Sequence, residues 1–221
     1  MDDQQHSGAA ESADAVLERL VEDVRRLIDL TVTADAPADA LRRAARHVAD
    51  AADALAPHRG DGRRRASRQT SSGDPAAVMP LDPMIGPQSP IAPPLRCRWE
   101  PPTAIGEVLF TAAYEGPPGC VHGGMIAAAF DQVFNVANLM LGTAGPTASL
   151  QLHYRRPTPL QVPLRFEAWQ DRVEGRRVYT RGRLLVGDRM TVEAEGLFIL
   201  VPVERILRMM ESEPDDDDPA T

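Results

Sequence analysis

Lysine is absent from this chain: all 24 basic residues are arginine. We read that as the mark of a GC-rich genome, not of arginine chemistry. Cysteine is scarce. Cys97 and Cys120 alone do not make a disulfide framework, and no Cys/His spacing suggests zinc, so no metal site and no cofactor are expected. No run approaches the roughly 18 apolar residues that a membrane span requires. The opening Met1-Asp2-Asp3-Gln4-Gln5 is acidic and polar, unlike the n-region of a signal peptide, and a cytoplasmic location is the expectation. A charge excess of one sign is also missing, except in one place. The net charge of -8 comes mostly from Glu211, Glu213 and Asp215 to Asp218, and the near balance elsewhere implies no nucleic-acid partner.

What the chain does have is a 43% hydrophobic content over 221 residues, enough for one ordinary domain with extensions. Leu17, Leu20, Val24 and Leu27 recur at spacings of three and four, which predicts an amphipathic helix within residues 14–30. After the turn-like Thr33-Ala34-Asp35-Ala36-Pro37, a second helix is predicted from Leu41, Ala44, Ala45, Val48, Ala52 and Leu55, and Pro37 suits its first turn. Residues 1–57 therefore read as a helical hairpin with a thin apolar seam, expected to dock on the core or on its own copy. Residues 58–102 read as a Pro/Arg-rich linker and lead-in. They hold Arg63-Arg64-Arg65 and then eight prolines from Pro80 to Pro102.

The main domain is expected over residues 103–203, followed by a short helix and acidic tail over 204–221. Ile105 to Ala113 reads as a strand and Gly123 to Leu141 as a long helix. Further strands are predicted for Thr147 to Tyr154, Leu164 to Val173, Arg177 to Val186 and Met190 to Val201. Val178/Thr180 and Val192/Ala194 alternate with polar neighbours, and Glu174-Gly175 and Gly187-Asp188 mark tight hairpins. One strand, one long helix and four consecutive strands predict an α+β architecture with an antiparallel sheet wrapped around a central helix.

The most informative run is Gly119-Cys120-Val121-His122-Gly123-Gly124, which opens that helix. Free N–H groups at Gly123 and Gly124 form an oxyanion-binding corner, because a helix N-terminus carries unpaired donors and partial positive charge. Asp131 is the anomaly: a carboxylate on an otherwise apolar helix is costly to bury unless partners or a task hold it there. Eight residues separate it from Gly123, a rise of roughly 12 Å and a turn of about 80°, so one chain does not easily bring both to the same atom. An antiparallel copy of the helix would place its Asp131 near the first chain's Gly123. The sequence thus suggests a site shared between subunits.

Several motifs then fall in register between Tyr114 and Val201. They are Gly116-Pro117-Pro118-Gly119, His122-Gly123-Gly124, Asp131, Tyr154-Arg155-Arg156-Pro157-Thr158-Pro159-Leu160, Val173-Glu174-Gly175-Arg176 and Glu193-Ala194-Glu195-Gly196-Leu197-Phe198. In that order and spacing the stretch resembles the hotdog-fold acyl-CoA thioesterases, of the phenylacetate-pathway type and close to thioesterase superfamily members four and five. The resemblance implies a hotdog fold and hydrolysis of a fatty or aryl acyl-CoA to free acid and coenzyme A in a homodimer or tetramer. It implies that the His122-Gly123 segment polarises the thioester carbonyl by a backbone N–H. Asp131 of the facing subunit matches the general base or nucleophile, and Thr147 matches a threonine that positions the attacking water. Some relatives carry an asparagine where this chain has Gly116, so one carbonyl contact of that subgroup is missing.

Other readings of these residues stand beside that one. His122 reads as a structural histidine even in an enzyme, since the donor is the next N–H. Cys120 reads as a small packing residue. On simple alternation Thr147 shares a face with Ser149, Gln151 and His153, opposite the core-like Leu150, Leu152 and Tyr154, unless the strand bulges near its start. Arg155, Arg156, Arg172, Arg176 and Arg177 sit at strand ends and are candidates, with Gly124, for holding substrate, the arginines through the coenzyme A phosphates. A hotdog hydratase would need an Asp and a His five residues apart in the core, and the only such pair, Asp53 and His58, lies in the hairpin. The alternative from another class is a non-catalytic acyl-CoA binder or scaffold.

Overall fold

A computed structural model describes residues 12–60 and 74–201. The arginine cluster at 63–65 and the short helix and tail expected after 204 lie outside the described residues. The chain divides into two compact units, one of Met1–Pro94 with Phe110–Ala113 and the other of Leu95–Leu109 with Tyr114–Thr221.

In the first unit, helix α1 spans Ala13–Val32 and α2 spans Ala38–Leu55, as the periodicity predicts. Ser12 caps α1 by accepting a hydrogen bond from the Ala15 N–H. One face of α1 is anchored: Val21 is buried, and the Arg25 guanidinium donates to the carbonyls of Gly86 at 2.8 Å and Ser89 at 2.7 Å. A single turn, α3 (Pro75–Val78), follows the capping side chain of Asp74. By contrast, α2 has no buried residue.

The second unit holds a six-stranded sheet in the order β1-β2-β4-β5-β6-β3, every pair antiparallel. The strands are β1 (Arg96–Glu100), β2 (Thr103–Val108), β3 (Thr147–Tyr154), β4 (Leu164–Glu174), β5 (Arg177–Val186) and β6 (Arg189–Ile199). Helix α4 (Gly123–Met140) lies against the sheet and touches all six strands. This is the expected α+β hotdog arrangement. Two details differ from the sequence reading. β1 lies inside the proline-rich lead-in, because the five residues before Pro101 are proline-free and pair with β2. β2 ends at Val108 and not near Ala113, since Ala112–Tyr114 turn into a 3₁₀ helix.

The core follows from strand alternation. Val178, Thr180, Gly182 and Leu184 of β5 and Val192, Ala194, Gly196 and Phe198 of β6 are buried, and they meet Phe130 and Phe134 of α4. Phe130 packs edge-on against Phe166 with ring centroids 5.0 Å apart, and Phe134 packs on Phe198 at 6.2 Å. The Phe134 ring sits so close that a Cβ at Gly182 would lie 2.6 Å from it and 2.7 Å from the Glu167 carbonyl oxygen. That second neighbour is backbone and cannot swing aside. Gly182→Ala is therefore expected to cost about 2 kcal/mol of stability in urea unfolding; an unchanged midpoint would show that the sheet yields at this point.

The opposite sheet face is a ladder of charges. Glu107, Arg165, Glu167 and Arg183 alternate across β2, β4 and β5, with Arg183 to Glu167 at 2.7 Å. Burial favours the neutral form of Glu167, but hydrogen bonds from Arg165 and Arg183 outweigh it and hold the carboxyl below its ordinary range.

Candidate active site

The turn before α4 is built to present a helix start. Glu115 and Gly116 meet Cys120 and Val121 in a narrow loop: Gly116 N–H donates to the Cys120 carbonyl at 2.9 Å, and Gly119 N–H to the Glu115 carboxylate at 2.7 Å. Gly119 has φ of 71°, a conformation glycine adopts without Cβ strain. The loop is tied down from outside by Val121 N–H to Thr158 C=O at 2.9 Å and Leu160 N–H to Gly119 C=O at 3.0 Å. A Cβ at Gly116 would meet the His122 Cα at 2.8 Å. A larger residue at position 116 therefore does not fit this loop without a backbone shift.

His122 is the N-cap residue of α4, and its ring Nδ1 accepts the Gly124 N–H at 3.0 Å. That bond requires a lone pair on Nδ1, so the ring proton of the neutral imidazole resides on Nε2. Gly124 thus spends its N–H on the cap. Gly123 N–H has no acceptor among the described residues, and its carbonyl accepts the Tyr154 hydroxyl at 2.8 Å. The corner expected from sequence therefore presents one unclaimed donor, at Gly123.

Tyr154 lies on the side of β3 that alternation predicts, opposite buried Val192. At the strand end it is nevertheless 53% exposed, with its phenol pressed against the helix start, where a Cβ at Gly123 would lie 3.1 Å from the hydroxyl oxygen. Burial of the hydroxyl raises its pKa above the usual phenol value and keeps it a donor. Sequence reasoning missed this contact. The signal available was only that a tyrosine ends the strand facing the helix start.

Asp131 lies half-buried in the third turn of α4, and Thr147 Oγ1 donates to its Oδ1 at 2.6 Å. Strict alternation would have turned Thr147 away with Ser149. A bulge resolves this: Thr147 pairs with Phe198 while Ser149 pairs with Leu197, leaving Ala148 as the extra residue. The bulge separates Thr147 from the face of Ser149, Gln151 and His153.

The arginines are more occupied than their sequence suggests. Arg155 pairs with Glu193 at 2.9 Å, Arg156 donates to the Met190 carbonyl at 2.8 Å and Arg176 donates to the Leu200 carbonyl at 3.3 Å. Arg172 pairs with Glu174 and lies over the Tyr179 ring, and exposed Arg177 begins β5. Arg156 borders a recess of about 320 Å³, lined also by Cys120, Pro157, Pro159 and Arg189. Cys120 is half-buried and unbridged.

Tyr154→Phe removes the hydroxyl that braces Gly123 and leaves the ring. Loss of one such bond is worth roughly 1 kcal/mol, so if the Gly123 N–H acts on substrate, kcat is expected to fall about fivefold with KM nearly unchanged. An equal fall in stability with unchanged kcat would give the hydroxyl a purely structural role.

Among known proteins, a family model described as the thioesterase superfamily matches residues 118–193. A solved thioesterase superfamily protein aligns at 34% identity over 83% of this chain and 94% of that one, with a TM-score of 0.74. The acyl-coenzyme A thioesterase THEM4 of Xenopus laevis is 34% identical over 87 residues, 38% of this chain and 39% of that protein. The human acyl-coenzyme A thioesterase THEM5 is 29% identical over 92 residues, 41% of this chain and 37% of that protein. The chain thus spans about two fifths of the length of these curated relatives. No helix among the described residues is long and apolar enough to cross a membrane. With the bulged Thr147, the capped His122 turn and a similarity that runs through nearly all of one solved relative, the chain belongs to the thioesterase superfamily.

Proposed function

We propose that this protein is an acyl-CoA thioesterase that hydrolyses a fatty or aryl acyl-CoA to free acid and coenzyme A. The observation that carries the reading is the 2.6 Å hydrogen bond from Thr147 to Asp131, which orients a carboxylate that packing alone does not require. The unclaimed Gly123 N–H supplies the complementary oxyanion donor. The two belong to one reaction centre if α4 of a second subunit lies antiparallel to the first, so the site is shared in a homodimer or tetramer.

A thioester needs little more. Its thiolate leaves readily, so the full Ser-His-Asp assembly is not required. With Gly123 N–H on the carbonyl oxygen, Asp131 removes a proton from water as the water oxygen attacks the carbonyl carbon. The tetrahedral oxyanion collapses, the C–S bond breaks, and the coenzyme A thiolate takes up the proton. Asp131 acting directly as nucleophile would give an anhydride that water then opens. Thr147 holds the carboxylate in either case. His122 keeps the turn closed through its cap, and Gly124 contributes close backbone approach and not a free donor. Arg156 and Arg189 flank the recess where phosphates of coenzyme A would lie; Arg155 adjoins Arg156, whereas Arg176 and Arg177 stand at the far end of β5 from Arg189.

A panel of acyl-CoA esters of rising chain length, assayed by thiol release, tests the reading. Steady turnover is expected for at least one ester. Saturable binding of acyl-CoA without any release of thiol would make the protein a non-catalytic binder.

A further inference from the structure

Helix α2 poses a physical problem. A helix of 18 residues in water draws most of its stability from packing one face, yet none of its residues is buried. Leu41, Val48 and Leu55 are 48%, 45% and 53% exposed. These three recur every seven residues, and Ala38, Ala45 and Ala52 fill the intervening positions of the same stripe. The stripe therefore has the 3.5-residue period of a coiled-coil seam, large at one position and small at the other.

We propose that α2 pairs with α2 of a second copy of this chain, antiparallel, with Ala45 of one opposite Val48 of the other. This register sets Leu41 opposite Ala52 and Ala38 opposite Leu55, so every large side chain faces a small one and the helices approach closely. A parallel pair in register would set alanine on alanine and leucine on leucine, alternating gaps with crowding. Charge selects the same arrangement. Asp39 is paired with Arg43 inside the helix at 2.7 Å, which leaves Arg42 and Arg46 toward the N-terminal half and Asp50 and Asp53 toward the C-terminal end. That distribution opposes the helix macrodipole and gives a lone helix nothing. An antiparallel neighbour compensates both ends and brings Arg42, which flanks the seam, alongside Asp53 of the other copy, twice by symmetry.

The test uses the full chain with Cys97 and Cys120 replaced by serine. In Ala38→Cys/Leu55→Cys the two thiols of one helix are about 25 Å apart, beyond the reach of a disulfide, whereas the antiparallel pair sets each beside the other in the second copy. A disulfide-linked dimer is expected in a thiol exchange buffer, with each single cysteine variant giving roughly tenfold less. Within the double-cysteine chain, Arg42→Glu and Asp53→Arg should each lower the yield several-fold, and both together should restore it. Equal cross-linking by Ala38→Cys alone would mean a parallel pair and overturn the proposal. So would the absence of cross-links together with binding of α2 to vesicles of anionic phospholipid.

Discussion

Asp131→Asn is expected to lower the kcat of thiol release by two to four orders of magnitude, about what a positioned general base contributes. The change is nearly isosteric, and the asparagine carbonyl still accepts the Thr147 hydroxyl, so the 2.6 Å contact and the fold survive. KM should change little if, in the proposed general-base form, the carboxylate acts on the attacking water and not on the bound acyl group. The same thermal midpoint with lost turnover would assign Asp131 to the chemistry. Unchanged turnover would remove it from the mechanism and leave the Thr147 contact as a means of satisfying a half-buried acid. A single turnover in oxygen-18 water identifies the nucleophilic form where water opens the anhydride at its Asp131 carbonyl: the free acid then carries an unlabelled oxygen of Asp131 and the label stays in the side chain, whereas a general base delivers the label to the free acid.

The second large effect concerns stability. Phe134 is fully buried, packs tilted against Phe130 with centroids 5.6 Å apart and edge-on against Phe198 at 6.2 Å, and fills the space left by Gly182 and Gly196. Phe134→Ala leaves a cavity that two glycines and two fixed rings cannot close, so a loss of roughly 3–5 kcal/mol is expected. Against the roughly 5–15 kcal/mol that holds a typical domain, this is a large share. Both tryptophans, Trp99 and Trp169, lie in strands of the sheet unit, so their fluorescence in urea reports on the affected part. Because the Gly196 Cβ position is crowded by the Phe134 ring itself, Gly196→Ala should cost less in the Phe134→Ala background than in the wild type. Strict additivity would show that ring and glycine do not share that space.

Much of the architecture was legible because it rests on local rules. The apolar run after His122-Gly123-Gly124 gave the start of α4, Glu174-Gly175 and Gly187-Asp188 gave the hairpins, and alternation gave β5 and β6. Strand β1 was hidden by the surrounding prolines, since its pairing with β2 is a tertiary choice that its own composition does not announce. The contact of Tyr154 with the helix start was hidden for a related reason. Alternation assigns a side to the ring, but the hydroxyl's partner, the Gly123 carbonyl, lies on an element 31 residues away.

By itself the sequence determined which groups are candidates for the chemistry and on which elements they sit: a helix start with glycine donors, one acid on an apolar helix, and a threonine sixteen residues beyond it. Only the tertiary structure decided which of them meet. One extra residue in β3 separates Thr147 from the face of its neighbours, because a strand's side-chain period of two leaves no other way to change sides. Likewise, the His122 ring takes the Gly124 N–H and so leaves Gly123 as the donor, an outcome of rotamer and cap geometry that no spacing of residues records.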